Sequence, residues 1–156
     1  MTEKPIKTVL FICMGNICRS PAAEAVFLDK IAKRGVVDRF RVDSAGTGGW
    51  HAGNPADPRS SQEGARRGYT LTSRARQIRA EDAEDFDLLI CMDEANRDDL
   101  LQLGMPAEKV RLLLDWHPDA GLHEVPDPYY GGQQGFVRMY DLIETACEKL
   151  LDDLTA

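Results

Sequence analysis

Apolar residues along this chain change their period as it runs, and the changes mark its elements. Thr8-Val9-Leu10-Phe11-Ile12-Cys13 is a continuous run, the pattern of a strand buried on both faces. Gly15-Asn16 breaks it. A helix is expected from Ser20-Pro21, where Pro suits the first helical position and Glu24 complements the positive helix end. Ala23, Val26, Phe27 and Ile31 recur at helical spacing until Gly35 stops the run. Phe40–Ala45 alternates as a second strand and enters a Gly- and Pro-rich loop from Gly46 to Pro55. Asp57-Pro58 opens a second helix in cap-then-Pro order, closing near Gly68, and a short acidic helical stretch follows around Ala80–Glu84. Leu88-Leu89-Ile90-Cys91-Met92 reads as a third buried strand, 96–103 as a helix ended by Gly104, and 110–113 as a fourth strand. After an irregular segment, 115–135, comes a last helix. Its apolar set is Phe136, Met139, Tyr140, Ile143, Ala146, Cys147, Leu150, Leu151 and Leu154.

Repeated strand-helix alternation predicts α/β architecture: a single three-layer domain over residues 1–156, with a four-stranded parallel sheet and helices on both faces. In such sheets ligands sit at the C-terminal ends of the strands, where Cys13, the loop after Ala45, and Met92-Asp93 fall.

The 156 residues fit one domain and hardly two. Nothing approaches the roughly 20 continuous apolar residues of a membrane span, and the short run Val9–Ile12 is no secretory signal. These features point to a cytoplasmic protein with no membrane partner. The net charge of −7 suggests indifference to anions, yet it hides a division. Residues 1–79 carry 14 basic and 7 acidic side chains and residues 80–156 carry 5 and 19, so an anion site belongs in the first half. Cys13, Cys18, Cys91 and Cys147 are too few to staple the fold, and with no export signal they are thiols by default. Cys13-x4-Cys18 is not a usual zinc spacing, and His51, His117 and His123 are dispersed, so no metal site is expected.

Cys13-Met14-Gly15-Asn16-Ile17-Cys18-Arg19-Ser20 lies between the first strand and the first helix. The stretch from Cys13 to Arg19 is long enough to wrap the backbone around one tetrahedral oxyanion. Gly15 permits the angles that turn successive N–H groups inward at a helix N-terminus, and Arg19 adds a guanidinium fork. The same field favours the thiolate of Cys13 as nucleophile. Ser20 can donate to that sulfur, and Asn16 can brace the loop. A strand-ending cysteine before an unrelated turn is the plainer alternative; the strand before it and the Ser-Pro helix start after it favour the anion site.

A thiolate attacking a phosphate ester needs an acid for the leaving oxygen. Asp127 in Asp127-Pro128-Tyr129-Tyr130-Gly131-Gly132 is the candidate, with Tyr129 and Tyr130 as walls of an aromatic slot. Alone, such a dipeptide reads first as a plain turn.

Along nearly its whole length the chain resembles the low-molecular-weight protein tyrosine phosphatases. The matching segments are the N-terminal Cys-x5-Arg-Ser, Asp43-Ser44-Ala45-Gly46-Thr47, Asp57-Pro58-Arg59, Ala75-Arg76-Gln77-Ile78, Cys91-Met92-Asp93 and Asp127-Pro128. The resemblance implies the phosphotyrosine phosphatase I type of fold, no cofactor, and phosphotyrosine-containing proteins as partners, with phosphate or vanadate as ligands. It implies that Cys13 becomes phosphorylated, that Arg19 binds the phosphoryl group, and that Asp127 is acid in the first step and base in the second. It places Trp50 as a wall of the phenyl-ring slot, although a surface or packed Trp explains the position too. Cys18 is either a redox partner of Cys13, as the family allows, or a small packed thiol. Ser73 stands where many relatives carry a His.

An arsenate reductase on the same fold is the alternative, since arsenate mimics phosphate. It needs further relay cysteines near the third strand, and Cys91 is alone there. A phosphotyrosine-binding module would have no use for Asp127. Nucleic acid is not an expected partner, for no basic-aromatic motif appears, and a monomer is expected. Arg41, Arg59, Arg66, Arg67 and Arg74 either select acidic flanking sequences or simply solvate a surface.

Overall fold

The computed structural model describes residues 6–129 and 132–156; Tyr130 lies outside them. A four-stranded, all-parallel sheet is built from β1 (Lys7–Cys13), β2 (Phe40–Gly46), β3 (Leu88–Cys91) and β4 (Val110–Leu112), in the order β2-β1-β3-β4. β1 is central, and that explains its unbroken apolar run. Val9, Phe11 and Cys13 join one core cluster, while Leu10 and Ile12 join the other. The first face is covered by α1 (Arg19–Arg34) and α5 (Gln133–Thr155), against which α2 (Pro58–Arg66) packs. The second carries Phe86 after the one-turn α3 (Asp82–Asp85), and Leu100 of α4 (Glu94–Gln102). The sheet therefore has helices on both faces, as expected.

The chain runs from β1 outward to β2 and then returns to the other side of β1 for β3. Such a reversal opens a crevice at the C-terminal ends of β1 and β3. Cys13 ends one of these strands and Asp93 follows the other.

Boundary signals in the sequence are realised with small shifts. Gly35 ends α1 in the left-handed conformation (φ 75°). Asp57 caps α2 by accepting the Arg59 N–H at 2.8 Å. α5 starts at Gln133, three residues before its first buried apolar side chain, Phe136. One expectation fails. Glu24 does not complement the start of α1, which begins at Arg19 with Cys18 as an N-cap lacking any side-chain bond. Glu24 lies in the second turn and instead accepts the Ser44 hydroxyl at 2.6 Å. Its carboxyl is pushed up mainly by burial, against the Ser44 hydrogen bond. The N–H groups at the start of α1 thus keep no acidic side chain in their first turn.

Candidate active site

The segment 14–18 leaves β1 at its C-terminal end and folds into α1, with its carbonyls engaged from outside. Thr47 N–H donates to the Cys13 carbonyl at 2.9 Å and Gly48 N–H to that of Met14 at 3.0 Å. Asp57 N–H donates to Ile17 O at 2.8 Å, and the Ser60 hydroxyl to Cys18 O at 3.1 Å. Holding carbonyls away from the loop centre is what a backbone anion site requires.

Asn16, not Gly15, takes the left-handed angle (φ 57°). Asparagine tolerates that conformation, and here its side chain also fixes it. Oδ1 accepts the Arg76 N–H at 3.0 Å, and Nδ2 donates to Ser20 Oγ at 2.8 Å. At Gly15 a Cβ would stand 3.0 Å from the His51 ring, which would have to give by a few tenths of an ångström.

Cys13 Sγ is almost fully buried and takes the Asn16 backbone N–H at 3.2 Å and a hydrogen bond with Ser20 Oγ at 3.0 Å. Because that hydroxyl already accepts from Asn16, its proton is free to point at the sulfur. Both bonds can thus bring a donor hydrogen to Sγ. Cys18 is different: burial first, then Asp57, Cys13 and Asp127, push its thiol far up and keep it protonated.

Arg19 is 2% exposed. Its Nη1 donates to Asp93 Oδ2 at 2.5 Å and to Val125 O at 3.1 Å, and Nη2 lies 3.6 Å from Asp127 Oδ2. Burial works against its charge, but Cys13, Asp93 and Asp127 outweigh it and hold the guanidinium ionised. Asp93 doubles as the N-cap of α4, in a reciprocal capping box with Asn96.

Cys13, Met14, Gly15, Ile17, Cys18 and Arg19 line one cavity of about 280 Å³ with Trp50, His51, Asp127 and Tyr129. Strand order has brought the two ends of the chain to one cleft. Trp50 is 65% exposed and stands against the backbone of Gly48. Asp127 accepts the Tyr129 N–H at 3.0 Å through Oδ1, leaving Oδ2 on the side of Arg19. Of the candidate slot tyrosines, Tyr129 lines the cavity, and Tyr130 lies outside the described residues.

Three residues beside the site are given no role in it by the sequence: Asp93 is placed only at a strand end, Arg59 only as a surface reader, and His51 not at all. Asp93 had a signal, an acid directly after a buried strand and three residues before Asn96. Arg59 stood in the Asp57-Pro58-Arg59 segment, and His51 had no signal. Of the arginines offered as surface readers, Arg59, Arg66 and Arg67 are committed to ion pairs with Asp57 and Glu63. Arg41 covers the Phe86 ring, and Arg74 donates to Gly53 O at 3.4 Å. Among the described residues no group of three or more His, Cys, Asp or Glu could hold a metal ion, and no helix is long and apolar enough to cross a membrane.

The family model "Low molecular weight phosphotyrosine protein phosphatase" matches residues 8–156. The chain belongs to this family. A putative low molecular weight protein-tyrosine-phosphatase of Synechocystis is 44% identical over 94% of this chain and 95% of its own length. The low molecular weight phosphotyrosine protein phosphatase of Homo sapiens is 40% identical, covering 97% and 98%. The crystal structure of the protein tyrosine phosphatase from Entamoeba histolytica with Hepes in the active site superposes with a TM-score of 0.92 at 41% identity, covering 96% and 97%. As a phosphatase of this family the chain is a hydrolase, and phosphotyrosine proteins are the family's substrates.

Proposed function

We propose that this enzyme hydrolyses phosphotyrosine and aryl phosphate monoesters through a phosphocysteine on Cys13. The observation that carries this reading is the convergence, in one cleft, of a doubly hydrogen-bonded Cys13 sulfur, the buried Arg19 guanidinium and the Asp127 carboxyl. The phosphoryl group sits in the loop 14–20, its oxygens taken by backbone N–H groups and by Arg19. Sγ attacks phosphorus, the P–O bond to the aryl group breaks, and Asp127 gives its proton to the departing phenolate. Water then attacks the phosphocysteine, Asp127 takes the water proton, and the S–P bond breaks to return the sulfur to the bonds from Asn16 and Ser20. Apolar Met14, Trp50 and Tyr129 at the mouth suit an aromatic ring. The site occupancy named for the Entamoeba relative, a sulfonate buffer, supports oxyanions such as phosphate and vanadate as ligands here.

Arsenate reduction finds no relay. Cys91 is fully buried in β3, and burial pushes its thiol far up.

Metal-free hydrolysis of a phosphotyrosyl peptide, inhibited by vanadate, tests the reading. Cys13→Ser abolishes turnover while retaining vanadate binding, and Asp127→Ala lowers it by about 100-fold or more. Unchanged rates in either variant, or thioredoxin-coupled turnover of arsenate, overturn it.

A further inference from the structure

α2 begins against the phosphate loop and is tied to it. Asp57 N–H donates to Ile17 O, and the Ser60 hydroxyl to Cys18 O, so both ends of its first turn are pinned to loop carbonyls. Asp57 is 8% exposed and grips Arg59 with both oxygens, Nε to Oδ1 at 3.1 Å and Nη2 to Oδ2 at 3.0 Å. A fork held this way fixes the plane of the guanidinium.

Two rings from the distant end of the chain lie on that guanidinium. Tyr129 has its centroid 5.3 Å from Arg59 Cζ, and Phe136 has its centroid at 4.9 Å. Phe136 is fully buried in α5 and serves as a fixed reference, whereas Tyr129 belongs to the loop that carries Asp127. The Tyr129 N–H in turn holds Asp127 Oδ1 at 3.0 Å. Asp127 itself has a side chain 38% exposed and only a 3.6 Å approach to Arg19. Its direction over the cleft therefore depends on where Tyr129 is anchored.

We propose that Arg59 is a positioning residue for the reaction: it couples the phosphate loop, through Asp57, to the acid loop, through Tyr129, and so sets the Asp127 carboxyl over the leaving oxygen. This rests on the reading of Asp127 as general acid. Lysine cannot replace it, because an ammonium offers neither the planar face nor the fork that Asp57 holds. The role is separate from binding: Arg59 is not a wall of the cavity and its charge is taken up by Asp57.

A positioning role predicts a loss that depends on how much the leaving group needs a proton. kcat/KM is compared on phenyl phosphate and on 2,4-dinitrophenyl phosphate, whose phenolate leaves without help. The variants are Arg59→Met, Arg59→Lys, and the pair Asp57→Asn/Arg59→Met, which leaves no buried carboxylate unpaired. Asp127→Asn runs beside them. Each Arg59 variant loses about tenfold or more on phenyl phosphate and less than about twofold on the dinitrophenyl ester, with unchanged vanadate inhibition. The loss tracks the limb of the pH profile that Asp127→Asn removes. Equal losses on both esters, or none, in a folded Arg59 variant overturn the inference while Asp127→Asn still discriminates between them. If Asp127→Asn does not discriminate, the acid assignment itself falls, and the inference with it.

Discussion

Arg19 and Asp93 stand 74 positions apart in sequence and meet at 2.5 Å, the guanidinium of α1 on the carboxylate that caps α4. One carboxylate thereby both starts a helix and aims the guanidinium proposed to bind phosphate. The two duties separate in Asp93→Asn, because asparagine still caps a helix but carries no charge. Hydrogen bonds to charged groups contribute about 1.5–3 kcal/mol, so phosphate and vanadate affinity should fall about 10- to 100-fold. The unfolding midpoint should fall as well, because buried Arg19 loses its ionic partner, although α4 keeps its cap. Vanadate inhibition constants and urea unfolding on the same preparation check both halves.

Asn16 combines a left-handed backbone with a two-sided brace, and substitutions separate these as well. Asn16→Gly keeps the backbone angle without strain but loses the brace; Asn16→Ala loses the brace and adds strain. Both should lower kcat/KM by about tenfold, since the Asn16 N–H that reaches Cys13 Sγ is displaced. Asn16→Ala should also unfold more readily, by about 1 kcal/mol relative to Asn16→Gly. Equal stabilities would show that the loop relaxes out of the left-handed region.

Gly48 is the floor under Trp50: a Cβ at that position would sit 1.8 Å from the indole. Gly48→Ala should therefore expel the ring from the cleft wall. Loss of one aromatic contact raises KM for aryl phosphates by about 3- to 10-fold. Vanadate, which has no ring, should bind as before, and parallel inhibition and substrate titrations read the difference.

Asp82 is fully buried and accepts from Arg76 twice, at 3.0 and 3.1 Å, and from the Arg79 N–H at 2.8 Å. Burial pushes its carboxyl up, but the Arg76 and Arg79 hydrogen bonds outweigh that and hold it below the usual range. A lowered carboxyl gives stability that is present above the ordinary Asp value and is lost as pH falls through the folded value. Asp82→Asn should cost about 2–3 kcal/mol at neutral pH. It should also flatten the acid limb of stability, as read by urea midpoints from about pH 7 down to about pH 3.

Much of the scaffold was legible in the residues themselves. The unbroken Val9–Ile12 run, the Asp57-Pro58 start and the Gly35 and Gly104 stops are signals between near neighbours, and they act before the chain has chosen its topology. The Cys-x5-Arg-Ser stretch is local in the same sense, so Cys13, Arg19 and Ser20 could be singled out together. Local reading also had limits: it assigned the unusual backbone angle to Gly15 and a capping duty to Glu24, and both belong elsewhere. Asparagine accepts φ 57° only because Arg76 and Ser20 pay for it, and Glu24 turns to Ser44 because β2 lies beside β1.

Only the tertiary structure decided which partners those residues keep. The order β2-β1-β3-β4 brings Asp93 to Arg19 and sets Arg76 against Asn16, and α2 reaches both the phosphate loop and Tyr129. It also decided what the charge division meant. In the proposed reading the chain's −7 does not oppose phosphate binding, because buried dipoles and one desolvated guanidinium act at short range where bulk charge is screened. Sequence supplies the groups and their local geometry. Which of them meet is fixed by long-range pairing, whose free energy comes from burying whole faces and not from any residue in the site.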